Sequence, residues 1–487
     1  MTAARAAPGT GTRTRTGTGA GRPGVPAGVL QVVLLAGPML SMIDSSVVNV
    51  AVPAIVTDLH TTLATAAWSL SGYLLGLACG LAASPWLARR FGTMPAYRAA
   101  LAGFVLASAA CAVVPSVGWL IAARVVQGLL GAPMVPLAMG LLLGRDGAAK
   151  TMPPSAGIML FAAPALGPAL GGLLVGAFGW RSVFLINLPV GLAALAGLRL
   201  LLRQAHGEQR GDPSARLDLP GLVLLSAGLG LATYGASQGP SHGWLSAASA
   251  PAWLGGLALI GGYLLWYRHP GRRAPAVNLS VLAAPRRVLT LALACVASVV
   301  LFSVLFLAPV YLQDIQHRTA GVTGLALLPQ GVVMGLASWL GSVLIERGRA
   351  RPAIIVGSVV GGLALLAVAT LGMLLLGPST PVWASAALFC GRGVALGLTV
   401  QPLVMELVGD LPADKLPDAN TLFSITERLS GSFGIALLAT YYAQRVRITG
   451  VPVAAFHDCV VLLAAASAAG ALAALGLRRG TMGTPPD

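Results

Sequence analysis

The sequence predicts an all-α integral membrane protein. Two six-helix bundles are related by a parallel repeat, two helices are inserted between them, there are 14 spans, and both termini are cytoplasmic. Three observations predict this. Only 9% of the 487 residues are charged and 56% are hydrophobic, with a mean hydropathy of +0.82; soluble domains carry about 25% charged residues. Apolar stretches of roughly 20 residues, enough to cross a bilayer, recur along nearly the whole length. The basic residues alternate as short cytoplasmic loops require. The net charge of +16 would suggest nucleic acid in a soluble chain. Here it reads as loop arginines beside anionic headgroups, and no nucleic-acid partner is expected.

The elements follow in order. Residues 1–28 form a Gly/Thr/Arg/Ala-rich tail without an apolar run, expected to be disordered. The first span, 29–56, is too long for a signal peptide and carries an acid, Asp44. Spans at 63–87 and 96–115 are parted by Arg89, Arg90 and Arg98, and "VPSVGW" (114–119) divides the third span from the fourth, 118–143. Arg145 and Lys150 precede 153–178; span 182–202 ends in Arg199 and Arg203, and Arg210 and Arg216 lead into 217–238 and 248–267. Arg268, Arg272, Arg273, Arg286 and Arg287 precede 288–312, while Arg347, Arg349 and Arg351 part 322–345 from 352–376. Lys415 lies between 381–408 and 418–442, and 455–477 ends at Arg478 and Arg479. All these clusters fall on one side. Only Arg181, Arg318, Arg445 and Arg447 fall on the other, with Arg124, Arg392 and Arg428 inside spans. A miscounted helix inverts such an asymmetry downstream of the error.

The organisation expected is therefore a tail at 1–28, a bundle at 29–202, the inserted pair with its loops at 203–270, a second bundle at 271–478 and a tail at 479–487. Five scattered cysteines lack metal-ligand spacing and read as small buried side chains. No metal or cofactor is expected, and no nucleophile–base pattern points to an enzyme.

The repeat rests on two adjacent pairs. "LIAARVVQGLLGAPMVPLAMGL" in span 4 and "LFCGRGVALGLTVQPLVMEL" in span 12 each carry an early arginine and a later proline; "LGPALG" (166–171) in span 5 parallels "LSGSFG" (429–434) in span 13. Both pairs sit at nearly one offset, as two duplicated halves require.

Several motifs then carry a resemblance. "IDSSVVNVAVP" (43–53), "WSLSGYLL" (68–75), "LIAARVVQGLLGA" (120–132), "ALGPALGGLL" (165–174) and "WRSVFLINLPVG" (180–191) occur in this order. With them the chain, over about residues 29–478, resembles the major facilitator superfamily, in its fourteen-span drug:proton antiporter branch. The resemblance implies proton-coupled export of a drug-like or antibiotic small molecule by alternating access, without a cofactor, from a multi-pass chain in a bacterial cytoplasmic membrane. A monomer is expected. The alternatives are a proton symporter importing a nutrient and a membrane protein that does not transport.

Asp44 is the leading site residue, because an acid at a helix centre costs at least about 2.5 kcal/mol. It shares a small-residue helical face with Gly37, Ser41, Val48 and Ala51, expected to line a water-filled cavity. Burial favours the neutral acid and a nearby cation favours the carboxylate, so such a site suits a coupled proton; a structural ion pair is the other reading. Arg124, expected within roughly two helical turns of Asp44 in depth, either tunes it or tethers helices through backbone carbonyls. The resemblance likewise implies proton coupling for this arginine. Glu427 either pairs with Arg392 at similar depth, beside Arg428, or receives a proton or a cationic substrate. Gly167, Pro168, Gly171 and Gly172 are expected to let helices approach closely. Trp68, Tyr73, Phe161, Phe302 and Phe423 are candidate cavity aromatics, and Glu406 reads as an interfacial acid.

One departure concerns the loop between spans 2 and 3. The resembled family has G-x-L-A-D-R-x-G-R-K there, whereas this chain has "PWLARRFGTMP" (85–95). Arg90 and Gly92 fit, but Arg89 replaces the acid. The expectation is a looser gate, or a different contact in that place.

Overall fold

The computed structural model describes residues 27–143, 154–202, 211–269, 275–347, 352–412 and 415–479. The helices are α1 (Ala27–Asp58), α2 (Leu63–Phe91), α3 (Thr93–Val113), α4 (Val117–Gly131), α5 (Met134–Leu143), α6 (Pro154–Phe178), α7 (Ser182–Leu185) and α8 (Asn187–Leu202). After these come α9 (Leu219–His242), α10 (Ala250–Arg268), α11 (Pro285–Val310), α12 (Ala320–Arg347), α13 (Pro352–Gly372), α14 (Val382–Val408), α15 (Leu416–Thr449), α16 (Pro452–Ala474) and α17 (Gly476–Arg479). Every predicted span overlaps a helix.

Among the described residues, 11 helices are long and apolar enough to cross a membrane. The fourth and sixth predicted spans are each broken in two. Pro133 and its neighbours interrupt the first between α4 and α5, since proline cannot donate the i→i−4 bond. α15 is not among the 11, because Glu427, Arg428 and a series of hydroxyl residues lower its hydropathy.

Packing repeats between the two halves. α6 lies against α1 of its own half and α12 of the other; α15 lies against α11 of its own half and α2 of the other. Likewise α2 packs on α4 as α12 packs on α14. Glycines make both of those crossings close. A Cβ on Gly128 would strike the Tyr73 carbonyl, and one on Gly397 the Met334 carbonyl. Without interhelical hydrophobic drive in lipid, such close backbone approach supplies the association. The repeat read from arginine and glycine spacing thus has a counterpart in the packing.

The inserted pair, α9 and α10, packs on itself through Gly228, Gly235 and Gly256, and α9 then lies along α2 and α15. Its flanking segments tie down the turn between α2 and α3. The Asp212 N–H donates to the Arg89 carbonyl at 2.7 Å, and the Trp86 indole donates to the Ala215 carbonyl at 3.2 Å. Two bonds from Ser214, side chain and backbone, hold the exposed Asp212 carboxyl below the usual carboxylate range. Asp218 caps α9 through the Gly221 N–H at 3.1 Å and accepts from the Trp266 indole at 2.9 Å and the Ala276 N–H at 3.1 Å. Asn278 then donates to Asp418 of α15 at 2.7 Å. The missing acid at Arg89 is therefore accompanied by a different contact, made by the insert rather than by a neighbouring helix end. Gly92 itself sits at φ +85°, a conformation that only glycine adopts cheaply.

Trp86→Phe is expected to remove about 1 kcal/mol from this docking and to speed tryptic cleavage at the exposed Arg216. An unchanged cleavage rate would mean that the segment is held by other contacts.

Candidate functional site

Asp44 and Arg124 form the centre of a buried polar network. Arg124 Nη1 lies 2.5 Å from Asp44 Oδ2, and both side chains are fully buried. Arg124 also donates to Gln127 Oε1 at 2.8 Å and to the Ser69 carbonyl at 3.2 Å, and its guanidinium stacks 3.9 Å over the Tyr73 ring. On the other carboxylate oxygen, Asp44 Oδ1 accepts from Asn187 Nδ2 at 2.8 Å and from Gln127 Nε2 at 3.3 Å. Asn187 in turn donates to Ser108 Oγ at 3.0 Å, which donates to the Phe184 carbonyl at 2.9 Å.

One acid thus links four helices of the first half: α1, α3, α4 and α8. A buried pair needs such surrounding bonds to offset its desolvation. Arg124 Nη2 and Asn187 Oδ1 nevertheless have no partner among the described residues. Residue depth alone sets Asp44 near Arg124; Gln127, Asn187 and Ser108 join the network only through the fold. The signals available were the i, i+3 spacing of Gln127 from Arg124 and a lone asparagine in "LINLPVG".

The face of α1 expected to line a cavity is instead packed inward. Gly37 N–H donates to the Tyr97 hydroxyl at 3.3 Å, Ser41 bonds the Tyr73 hydroxyl at 3.0 Å, and Val48 is fully buried. The reason is the network itself: Asp44 must face α4 and α8 to meet its donors. A cavity of 380 Å³ does exist, between the halves, and α1 presents Met42, Ser45 and Ser46 to it. Met42 and Ser46 lie roughly opposite Asp44 on the helix, and Ser45 about 100° from it. The remaining wall comes from α6 (Ala165, Pro168), α11 (Leu301, Phe302, Leu305), α12 (Leu327 to Ser338), α14 (Leu396, Gly397, Val400) and α15 (Glu427, Arg428).

Of the candidate aromatics, Phe302 lines this cavity. Trp68 does not: it meets Tyr234 of the inserted α9 at 6.0 Å. Tyr73 covers Arg124, and Phe423 is buried away from the cavity wall. The side chain of Phe161 lies outside the described residues.

The Arg392–Glu427 pair is corrected. Arg392 is fully buried and donates to the Val300 and Leu301 carbonyls of α11, at 2.7 and 3.2 Å, whereas Glu427 faces the cavity. Depth alone put them together; the rotation of α14 parts them. Arg392 is instead a tether between α14 and α11, resembling the bond from Arg124 to the α2 carbonyl of Ser69. Arg428 does not pair with Arg392 or Glu427 either, and its guanidinium lies 5.9 Å from the Phe302 ring centre. Glu406, read as interfacial, pairs with Arg286.

The glycine helix behaves as its spacing suggested and does so on two faces. A Cβ on Gly167 would strike the Ser46 side chain, and one on Gly171 would lie 2.6 Å from the Val47 carbonyl of α1. One on Gly172 would strike the Ala320 carbonyl and lie 2.9 Å from Gly324 Cα, both in the other half. Pro168 lines the cavity between these contacts. At the bundle end holding the α1–α2 turn the halves are joined again, by Gln313 Nε2 donating to the Val50 carbonyl at 3.0 Å.

Two helical halves that pack alike around a shared cavity, in a chain with 11 described helices long and apolar enough to cross a membrane, are the architecture of a membrane transporter. Residues 34–435 match the family model of the Major Facilitator Superfamily, and the chain belongs to that family. It is 32% identical over 420 residues to a multidrug resistance protein B homolog of Mycobacterium tuberculosis (strain ATCC 25618 / H37Rv), covering 84% of this chain and 74% of that one. It is 31% identical to the tetracenomycin C resistance and export protein of Streptomyces glaucescens, over 84% of this chain and 75% of the other. Among solved structures, the POT family transporter PepTSo superposes with a TM-score of 0.65 at 14% identity, covering 93% of this chain and 99% of that one. A bacterial homolog of the human lysosomal transporter Spinster, inward-facing and unoccupied, has the same score and identity over 95% and 99%. These two show the fold alone. The chain is a multi-pass cell membrane protein that carries small molecules across a bilayer.

Proposed function

We propose that this transporter is a proton-coupled antiporter exporting a drug-like or antibiotic small molecule, with 14 spans, bundles at 29–202 and 271–478, and both termini cytoplasmic. In this reading the α1–α2 end faces outward, and the driving force is the proton gradient. The relatives named for multidrug resistance and tetracenomycin export support the substrate class and direction.

One observation carries the coupling. The Asp44–Arg124 pair and the cavity-lining Met42 and Ser46 are on opposite faces of one turn of α1. Ionised Asp44 holds α1 to α4 through Arg124 and to α8 through Asn187. Protonation removes the charge that Arg124 faces and one of the acceptor sites that Asn187 and Gln127 share. α1 is then released from the first half, and the cavity wall moves with it. Arg124, already with a free Nη2, takes up the slack through Ser69 and Gln127. Glu427, on the far wall, is the second candidate proton site.

The test uses everted vesicles energised to an acid lumen. Adding a transported drug is expected to raise lumenal pH as protons leave in exchange. Import-only uptake by whole cells, with no lumenal response, would refute export.

A further inference from the structure

We infer that the cavity selects amphoteric ligands, molecules carrying a cationic donor and an anionic acceptor on one aromatic frame, over lipophilic cations. The inference rests on the export reading above for the cavity being the substrate site.

The cavity wall carries few charges, and their placement is specific. Glu427 and Arg428 both line the cavity. As consecutive residues of α15 they point about 100° apart and do not face each other. Among the described residues neither the Glu427 carboxylate nor the Arg428 guanidinium has a hydrogen bond or ion pair, and the Phe302 ring centre lies 5.9 Å from Arg428. Ser45 and Ser46 spend their hydroxyls on carbonyls of their own helix. Gln330 reaches the cavity with no side-chain bond either. Among the described residues, the free polar groups of the wall are therefore one anion, one cation, one amide and the Ser338 hydroxyl, set among apolar side chains.

A lone cation satisfies Glu427 but sits in the field of Arg428; a lone anion meets the reverse. A ligand with both charges satisfies both, and the separation of the two side chains around the helix demands that its charges be separated too. Phe302 and the polarisable Met42 and Met334 suit an aromatic body between them.

The test is ligand binding to the purified full-length chain at neutral pH, measured by isothermal titration calorimetry. Three aromatic probes of similar size are compared: tetraphenylphosphonium (cation), an anthracene carboxylate (anion) and ciprofloxacin (zwitterion). The wild type is expected to bind the zwitterion about tenfold more tightly than either other probe. Arg428→Gln is expected to turn the preference to the cation, and Glu427→Gln to the anion. Met334→Trp, which fills the cavity, is expected to weaken all three and so locates the site. Each variant is compared only if it elutes as the wild type does on size exclusion.

A wild type preferring the cation, with the order unchanged by Arg428→Gln, overturns the inference and leaves export standing. Binding of all three probes untouched by Met334→Trp removes the cavity as the substrate site, and both readings fall together.

Discussion

Asp44→Asn is expected to abolish proton-driven efflux while leaving the protein in the membrane. Asparagine keeps the shape of the side chain but removes the charge that Arg124 faces at 2.5 Å. The buried guanidinium then loses its counter-ion, and breaking such a pair from one side costs about 3–5 kcal/mol. Lower thermal stability is expected for that reason alone, so stability cannot separate a proton carrier from a structural tie. The double variant Asp44→Asn with Arg124→Gln separates them. Removing both charges is expected to recover much of the stability, as paired neutralisation often does, and to recover none of the coupling. Efflux at the wild-type rate under an imposed pH gradient, in either variant, would reduce the pair to a helix tie.

Gly172→Ala is expected to cut transport by at least about tenfold, which needs only about 1.4 kcal/mol on the rate-limiting step. The added Cβ meets backbone, the Ala320 carbonyl and Gly324 Cα, so no side chain can turn aside. Overpacking of this kind costs about 1–3 kcal/mol, and here it falls on the contact between the halves. Gly176→Ala is the control one turn away: its nearest atom in the other half is Gly321 N at 3.8 Å, an ordinary contact. Transport by the Gly176 variant is expected to match the wild type. Equal loss in both variants would show that helix propensity or lipid packing, not the crossing of α6 and α12, is at stake.

Glu427→Gln separates the two proton candidates further. It alters ligand preference if Glu427 is a binding group, and the stoichiometry of protons per drug if it is a carrier. Equal stoichiometry with a changed probe order leaves Asp44 as the carrier.

Much of the membrane architecture was legible because bilayer physics writes itself on the chain. Apolar runs must be long, so helix positions could be read without partners. Asp44 announced itself by cost, since an acid in such a run requires a reason. Its link to Arg124 was legible only as similar depth.

Rotation about each helix axis is what the sequence left open. Depth follows from counting residues, but the face a side chain presents follows from which neighbours the helix meets. Arg392 and Glu427 share a depth and part company because α14 turns its arginine to α11 carbonyls and α15 turns its acid to the cavity. Asp44 shares a face with small residues that suggested water, yet that face packs on Tyr97 and Tyr73. Trp68 looked like a cavity ring and meets the inserted helix instead.

A helical membrane protein, a repeated half, a costly acid in the first helix and a glycine helix suited to close crossing are all readable along the chain. Hydrophobic length, loop charge and residue size are local quantities, which is why they survive in one dimension. Folding fixes which donors hold Asp44, which wall of α1 meets the cavity, and how the segments flanking α9 and α10 dock at the altered α2–α3 turn. Those depend on contacts between residues far apart in sequence, such as Arg124 with Ser69, Asn187 with Asp44, and α1 with α15 across the cavity, and nothing along the chain brings them together.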